Sequence, residues 1–186
     1  HLTLDGGSDV LTIRTSLRNV GAGPLSVQWL AAASLPLPAA AHVVRSTSGR
    51  HNSEFVPCED VLGRGIWRRE NRHGLTSHAS FPGAVVATQG CTAQQGLAFG
   101  VQMAWSGNHS QSIEGLDDGR WQWQIGEWLA PGEIQLAPGA MLDAPAVLAT
   151  CSSQGWGGVA RNFHAAIRAN IPWPGGAMAP RPVHLN

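Results

Sequence analysis

The chain has no lysine and no tyrosine, so all twelve of its basic residues are arginine. Charged residues make up only 13% of the 186 residues, against about 25% in an average globular chain. The acidic residues also number twelve, so the formal net charge is zero. A neutral chain without a basic cluster is a poor candidate for binding nucleic acid or an anionic membrane surface. We therefore expect neither class of partner.

Long apolar runs and targeting signals are also missing. No apolar run approaches the roughly 20 residues that a membrane-spanning helix needs. The given sequence shows no positively charged start followed by an apolar stretch, which predicts no signal peptide and a cytoplasmic location. A hydrophobic content of 43% is too high for a disordered chain, and 186 residues correspond to one domain, or to one domain with a tail.

Patterns that bind metals or form disulfide frameworks are not found. The three cysteines, Cys58, Cys91 and Cys151, are far apart and include no Cys-x-x-Cys pair. His73 and His78 are separated by an odd number of residues, which places them on opposite faces of a strand. We therefore expect no metal and no cofactor.

Period-two alternation of apolar and polar residues dominates what is present. It predicts strands over residues 10–18, 25–31, 96–106, 113–115 and 120–128. The Gly- and Pro-rich turn over residues 19–24 predicts that the first two strands form a hairpin. Many short strands separated by turns, with 23 Gly and 12 Pro, are typical of an all-β antiparallel β-sandwich, predicted here for residues 1–155.

One segment changes to a helical period. Val159, Phe163 and Ile167 recur every four residues, which predicts an amphipathic helix over residues 156–171 that packs on the sandwich. Pro172 ends this helix. Residues 172–186 are rich in Pro and Gly, and we interpret them as an extended linker that leads out of the domain.

The eight tryptophans allow two interpretations. Trp121, Trp123 and Ile125 share one face of the strand over 120–128, and Gln122 and Gln124 share the other. The apolar face is expected to pack in the core or against another domain. The alternative is a sugar platform, because flat indole faces can stack on pyranose rings.

Catalytic patterns are weak. A glycosidase needs two carboxyl groups about 5 to 9.5 Å apart, and none of the acidic residues has a distinctive context. The sequence Asp117-Asp118-Gly119 is most simply a hairpin turn, and Ser77 and His78 point to opposite faces of a strand. The residues themselves therefore predict no catalytic centre.

Several short motifs occur in an informative order: Gly65–His78, Trp105–Asn108, Trp128–Glu133, Ala144–Pro145, Ser152–Gly155, Asn162–Arg168 and Arg181–Asn186. Each motif is weak alone, but together their order resembles the N-terminal domain of the α-galactosidases of glycoside hydrolase family 36. The resemblance covers about residues 8 to 186. It implies a large β-supersandwich followed by a helix and a linker.

The resemblance also implies a function for a longer parent protein. The parent would remove terminal α-linked galactose from sugars such as melibiose or raffinose with retention, using two carboxylates on a (β/α)₈ barrel. In the family this barrel begins after the position of Asn186, so no catalytic residue is expected in this chain. The implied partners are the barrel, further copies of the chain in a homo-oligomer, and the galactoside bound by the parent.

We single out ten residues of these motifs and of the tryptophan-rich strand as candidates for domain-interface or sugar contacts. They are Trp67, Arg68, Glu70, Arg72, His78, Trp121, Trp123, Trp173, Arg181 and Asn186. Two alternatives to the α-galactosidase domain remain open at this point. One is a free-standing carbohydrate-binding β-sandwich module, and the other is a structural sandwich from an unrelated sugar enzyme.

Overall fold

A computed structural model describes residues 1–76, 79–178, 180 and 182–183. It contains a single α-helix, α1 (Gly155–Asn170), a 3₁₀ turn over Pro174–Gly176, and fifteen strands within this described part. The strands are β1 (Leu2–Asp5), β2 (Val10–Ile13), β3 (Ser16–Arg18), β4 (Leu25–Val27), β5 (Ala33–Leu37), β6 (Ala41–Arg50), β7 (Ser53–Val61), β8 (Ile66–Asn71), β9 (Gly83–Thr88), β10 (Ala98–Met103), β11 (His109–Gly115), β12 (Trp121–Glu127), β13 (Ile134–Leu136), β14 (Met141–Asp143) and β15 (Val147–Ser152).

Two sheets form the body of the molecule. The larger has seven strands in the order β1-β2-β15-β10-β9-β6-β7, and the smaller has four in the order β5-β12-β11-β8. Two further ribbons pair β13 with β4 and β14 with β3. All of these strand pairs are antiparallel, which confirms the predicted all-β antiparallel sandwich with one C-terminal helix.

The main core lies between the inner faces of the two sheets. It contains Val101, Met103 and Val147 from the seven-stranded sheet and Ile113, Trp123 and Ile125 from the four-stranded sheet. All six are almost completely buried. Val101 and Met103 are two residues apart on β10, so the alternation of side chains along the strand places both on its core face.

Helix α1 covers the outer face of the seven-stranded sheet. Val159 is buried against Ala87 and Ala98, and Phe163 and Trp156 pack at the margin of the same cluster. The helix begins one residue before the predicted start and ends one residue before the predicted end. It ends because Ile171 precedes a proline and adopts an extended conformation.

The predicted hairpin between residues 10–18 and 25–31 is wrong. The first segment splits into β2, which pairs with β15, and β3, which pairs with β14, while β4 pairs with β13. The turn is tied to a distant segment instead, because the Asn19 side-chain amide donates both to Gly23 O and to Leu136 O, each at 2.8 Å. Alternation identifies a strand but not its partner.

The other predicted strands exist with different ends, since β10, β11 and β12 replace the ranges 96–106, 113–115 and 120–128. In the predicted linker over 172–186, the described residues contain one element of regular structure, the 3₁₀ turn at Pro174–Gly176.

In the described part of the chain, no helix has both the length and the apolar character needed to cross a membrane.

Candidate functional site

Six of the ten candidate residues lie on the four-stranded sheet or directly next to one of its strands, and the two faces of this sheet differ in character. Antiparallel register aligns Ile113 with Trp67 on one side and with Trp123 on the other. These three residues face the main core. The alternate positions, which include Arg68, Ser112 and Gln124, therefore share the outer face.

A row of buried polar side chains crosses the inner face of this sheet. Trp123 is 1% exposed, and its Nε1 donates to Gln111 Oε1 at 3.3 Å. Gln111 Nε2 donates in turn to the Gly83 carbonyl oxygen of β9 at 3.3 Å, which links the two sheets through the core. Trp123 is a core residue in this arrangement and offers a sugar no surface.

His109 continues this row at the start of β11. It is fully buried, and its ring lies 3.4 Å from Ser80 Oγ and 3.4 Å from the Gly107 carbonyl oxygen. Burial lowers the pKa of His109 below the ordinary value for histidine, because the charged ring would lose its hydration, and the carbonyl contacts offset only part of this effect.

Trp67 lies on β8 with its ring against the main core. Its Nε1 donates to Asp60 Oδ2 at 2.9 Å, and Arg69 reaches the same oxygen at 3.0 Å. The Arg69 guanidinium lies 5.6 Å from the centre of the Trp67 ring. The indole is therefore held between a carboxylate on β7 and a cation on its own strand.

On the outer face, Glu70 pairs with two arginines. Arg68 approaches Glu70 at 3.0 Å, and Arg72 makes a second, shorter ion pair with the same carboxylate. The Arg72 guanidinium also lies 4.5 Å from the centre of the Trp128 ring. Three predicted residues, Arg68, Glu70 and Arg72, thus form one connected row that ends on a tryptophan from β12's C-terminal side.

Three of the sequence motifs meet at Asn108. Its side-chain oxygen accepts a hydrogen bond from the Gly74 backbone N–H at 2.7 Å. Its backbone oxygen accepts from Trp105 Nε1 at 3.1 Å and from the Trp128 N–H at 3.2 Å. The motifs that begin at Gly65, Trp105 and Trp128 are therefore neighbours in space.

A groove of about 410 Å³ opens on the outer face beside the Glu70 ion pairs, which we call the outer groove. Strands β8, β11 and β12 form its floor, and the segment before β5 and the segment after β12 form its sides. Its lining residues are Gln28, Trp29, Ile66, Arg68, Ser110, Ser112, Gln124, Trp128 and Leu129.

A second hollow, of about 720 Å³, lies at the end of the sheet where β8 begins and β11 turns into β12, and we call it the loop-end hollow. Trp121 lines it together with Arg64, Gly65 and Leu116. The Gly119 residue of the turn has a positive φ of 82°, as predicted for a hairpin turn at Asp117-Asp118-Gly119. Trp121 is thus partly buried on the core and partly open to this hollow.

The remaining candidates lie in or beyond the segment after α1. Trp173 is partly buried, and its backbone N–H donates to the Ile171 carbonyl oxygen at 2.9 Å. His78, Arg181 and Asn186 lie outside the described residues. No cluster of three or more potential metal ligands occurs among the residues that the structure describes.

Sequence reasoning missed the outer groove. Trp29 falls at the end of a predicted strand, and Ser110 and Ser112 precede the predicted strand over 113–115. Alternation along the strand over 120–128 does place Gln124 on the face opposite to Trp123. This was the one feature of the sequence that could have pointed to a polar outer face. The groove needs the register of three strands, and no single segment carries that information.

These features define a class of protein: a single antiparallel β-sandwich domain with a helix packed on its larger sheet. Residues 1–137 match the glycosyl hydrolase family 36 N-terminal domain, and the chain belongs to this family.

Individual relatives agree with this assignment. The chain is 35% identical over 180 residues to an α-galactosidase from Escherichia coli, covering 96% of this chain and 25% of that protein. It is 26% identical to the bifunctional α-galactosidase/sucrose kinase AgaSK from Mediterraneibacter gnavus, covering 96% of this chain and 19% of that protein. The solved galactosidase domain of an α-galactosidase–sucrose kinase superposes with a TM-score of 0.81 at 27% identity, over 87% of this chain and 22% of that one. The chain therefore spans a quarter or less of the length of these relatives.

Proposed function

We propose that this chain is the non-catalytic N-terminal domain of an α-galactosidase and that it supports a catalytic barrel and the assembly of subunits. The single observation that carries the proposal is the family match over residues 1–137, combined with relatives named α-galactosidase of which this chain covers a quarter or less. The parent would hydrolyse terminal α-galactosides such as melibiose or raffinose with retention.

The proposed role assigns the catalytic carboxylates to the barrel. Retention requires two carboxyl groups about 5 to 5.5 Å apart across the scissile bond. On this chain, Asp60 is engaged by Trp67 and Arg69, and Glu70 is engaged by two arginines. These carboxylates are held in structural pairs, which supports a role outside catalysis.

The partners of the domain follow from the same proposal. Trp121 at the loop-end hollow and the row Arg68, Glu70 and Arg72 are the described candidates for contacts with the barrel, with a neighbouring subunit or with its sugar. Trp67, on the same strand as Arg68 and Glu70, keeps its proposed interface role, and Trp173 begins the proposed connection to the barrel. His78, Arg181 and Asn186 keep the same proposed roles from the sequence resemblance alone.

A cytoplasmic location for the parent is part of the proposal. The three cysteines are free thiols, which is the state that a reducing cytosol maintains. A free-standing sugar-binding module built on Trp121 and Trp123 receives less support, because Trp123 is almost completely buried.

The experiment is an activity assay on two polypeptides. The 186-residue chain should not hydrolyse p-nitrophenyl α-galactoside, whereas the same chain extended by ~400 downstream residues, the size of a barrel with insertions, should. Turnover by the 186 residues alone would overturn the non-catalytic role, and an extended protein that cleaves β- but not α-galactosides would overturn the proposed substrate class.

A further inference from the structure

We propose that the outer groove is a binding site for a neutral pyranoside. The groove shares no lining residue with the loop-end hollow. Its volume of about 410 Å³ lies within the range of about 300 to 1,000 Å³ typical of small-molecule sites. Its lining combines two indoles, two amides, two hydroxyls and one guanidinium.

The aromatic part of the site is held in place by the sheet. Trp29 is 40% exposed, yet the rim of its ring lies against β12 at Gly126. A Cβ at Gly126 would come within 3.1 Å of Trp29 Cη2 and within 2.4 Å of the Leu30 carbonyl oxygen. Glycine therefore leaves the space that the Trp29 ring occupies, and the ring presents its remaining surface to the groove.

An exposed indole fixed beside polar groups has the chemistry that a pyranose ring requires. The face of a pyranose carries C–H groups, whose partial positive charge is attracted to the negative face of an aromatic ring. The hydroxyls around the sugar need donors and acceptors at its edge. Trp29 supplies the first kind of contact and the floor of the groove supplies the second.

Polar groups on this floor are available for a ligand. Gln124 Nε2 donates to Gln122 Oε1 at 3.2 Å, which leaves Gln124 Oε1 free to accept. Within the described part of the chain, the side chains of Gln28 and Ser112 have no hydrogen-bond partner. Hydroxyl and amide groups can both donate and accept, as can the hydroxyls of a sugar.

The charges beside the groove favour a neutral ligand over an anionic one. Arg68 is the charged residue of the lining, and Glu70 approaches its guanidinium at 3.0 Å. Arg72 pairs with the same carboxylate and lies on the Trp128 ring. Because Glu70 already pairs with the Arg68 guanidinium, the groove does not need an anionic ligand to balance this charge. The guanidinium can use its remaining N–H groups to donate to a sugar hydroxyl.

The test is calorimetric titration of the 186-residue chain with methyl α-D-galactopyranoside, methyl α-D-glucopyranoside and galacturonate. We expect saturable binding of at least one neutral glycoside. Trp29→Ala should weaken it by about tenfold, as the loss of a stacking contact implies. Ser112→Ala should weaken it by about fivefold through a lost hydrogen bond, with little effect on folding.

The control is Trp105→Ala, which removes an indole of nearly the same exposure, 39%, that does not line the groove. This variant should bind the glycoside as the unchanged chain does, and thermal unfolding should show that all three variants are folded. Equal weakening by Trp105→Ala, binding of galacturonate alone, or no saturable binding of any of the three sugars would overturn the proposal. None of these outcomes depends on galactosidase activity, so the domain assignment is tested separately.

Discussion

At the scale of single residues, the pairing of Gln111 with Trp123 shows how a polar side chain is accommodated in the core. Both residues are about 1% exposed. The Gln111 amide accepts from the indole and donates to the Gly83 carbonyl oxygen, so each buried polar group that it touches is satisfied. A buried donor or acceptor without a partner costs about 1 to 3 kcal/mol, so this amide stabilises the contact between the two sheets.

Gln111→Leu is expected to lower the free energy of unfolding by about 1 to 3 kcal/mol, because Trp123 Nε1 and the Gly83 carbonyl oxygen would both lose their partner. Urea unfolding followed by tryptophan fluorescence measures the change. The effect of Gln111→Leu should be smaller in a Trp123→Phe background, where the indole donor is already gone.

The matched control is Gln122→Leu, at a partly exposed position on the outer face of the neighbouring strand. This substitution should change the free energy of unfolding by no more than about 0.5 kcal/mol. Equal effects of the two substitutions would show that the buried hydrogen bonds of Gln111 contribute nothing to stability.

For single residues, the sequence predicts which face of a strand a side chain points to better than it predicts the hydrogen-bond partner of that side chain. Alternation over residues 120–128 is enough to predict that Trp123 and Ile125 face the core. The role of Gln111 could not be predicted, because the predicted strand starts at residue 113 and the pairing of Gln111 with Ile125 exists only in the folded sheet. A polar residue next to a core strand has no local signature of burial.

At the scale of elements, the contact between α1 and the seven-stranded sheet depends on a residue without a side chain. Gly100 on β10 lies directly under the helix. A Cβ at this position would lie 2.3 Å from Val159 Cγ1 and 2.8 Å from Phe163 Cε2. The helix can approach the sheet this closely because β10 presents Ala98 and Gly100 on its outer face.

Gly100→Ala should therefore lower the free energy of unfolding by about 1 to 3 kcal/mol, since Val159 and Phe163 must move to admit the methyl group. Chemical unfolding measures the loss, and far-ultraviolet circular dichroism shows whether α1 remains formed.

Gly63→Ala is the comparison for this substitution. A Cβ at Gly63 meets nothing within 4 Å, so the lower entropy of the unfolded chain should make the change neutral or stabilising by about 0.5 kcal/mol. A loss of stability at Gly63 as large as that at Gly100 would assign the effect to the backbone rather than to helix packing.

Elements differ in how well local sequence predicts them. The helix is predicted to within one residue at each end, because its period and the following proline are local signals. The hairpin between the first two predicted strands is wrong, because strand pairing depends on segments more than 100 residues away, such as Leu136 for the Asn19 turn. A strand cannot satisfy its backbone groups alone, whereas a helix can.

At the scale of the whole molecule, one buried titratable group connects stability to pH. The folded pKa of His109 is lowered by burial, while an unfolded histidine titrates near pH 6.5. The unfolded chain therefore takes up this proton first as the pH falls. The stability from neutral His109 is complete above about pH 6.5 and is lost progressively as the pH falls towards the folded pKa.

We expect the free energy of unfolding to be lower at pH 5.5 than at pH 7.5, with a slope from this residue of at most about 1.4 kcal/mol per pH unit. Urea unfolding at a series of pH values measures the slope, and NMR titration of the His109 ring measures its pKa directly. An NMR pKa at or above 6.5 would contradict the explanation.

One substitution isolates the histidine. His109→Gln removes the buried ring and should reduce the slope. Glu127 acts in the opposite direction: burial first, and the nearby Glu133 second, raise its pKa. Its contribution is complete below about pH 4.5 and is lost as the pH rises through its raised pKa, so its effect on the pH dependence of stability is opposite in sign to that of His109.

The edge strand β1 of the seven-stranded sheet leaves apolar side chains exposed. Leu2 and Leu4 of β1 pair with Ile13 and Leu11, which face the core, yet they are 65% and 67% exposed. The four-stranded sheet ends at β5. Leu4 lines an open hollow together with Leu35 and Leu37 of that strand. Part of the exposed apolar surface of the chain therefore lies at this edge of the seven-stranded sheet.

Local sequence patterns were enough to predict the all-β fold, the position of the helix, the inward face of β12 and, through the order of short motifs, the family. These properties depend on the periodicity of neighbouring residues, which favours a strand or a helix with little dependence on distant residues. The pairing of the strands, the joining of three motifs at Asn108 and the outer groove between three strands and two tryptophans are visible only in the folded chain. These features depend on register between segments far apart in the chain, and register is set by burial in the complete fold.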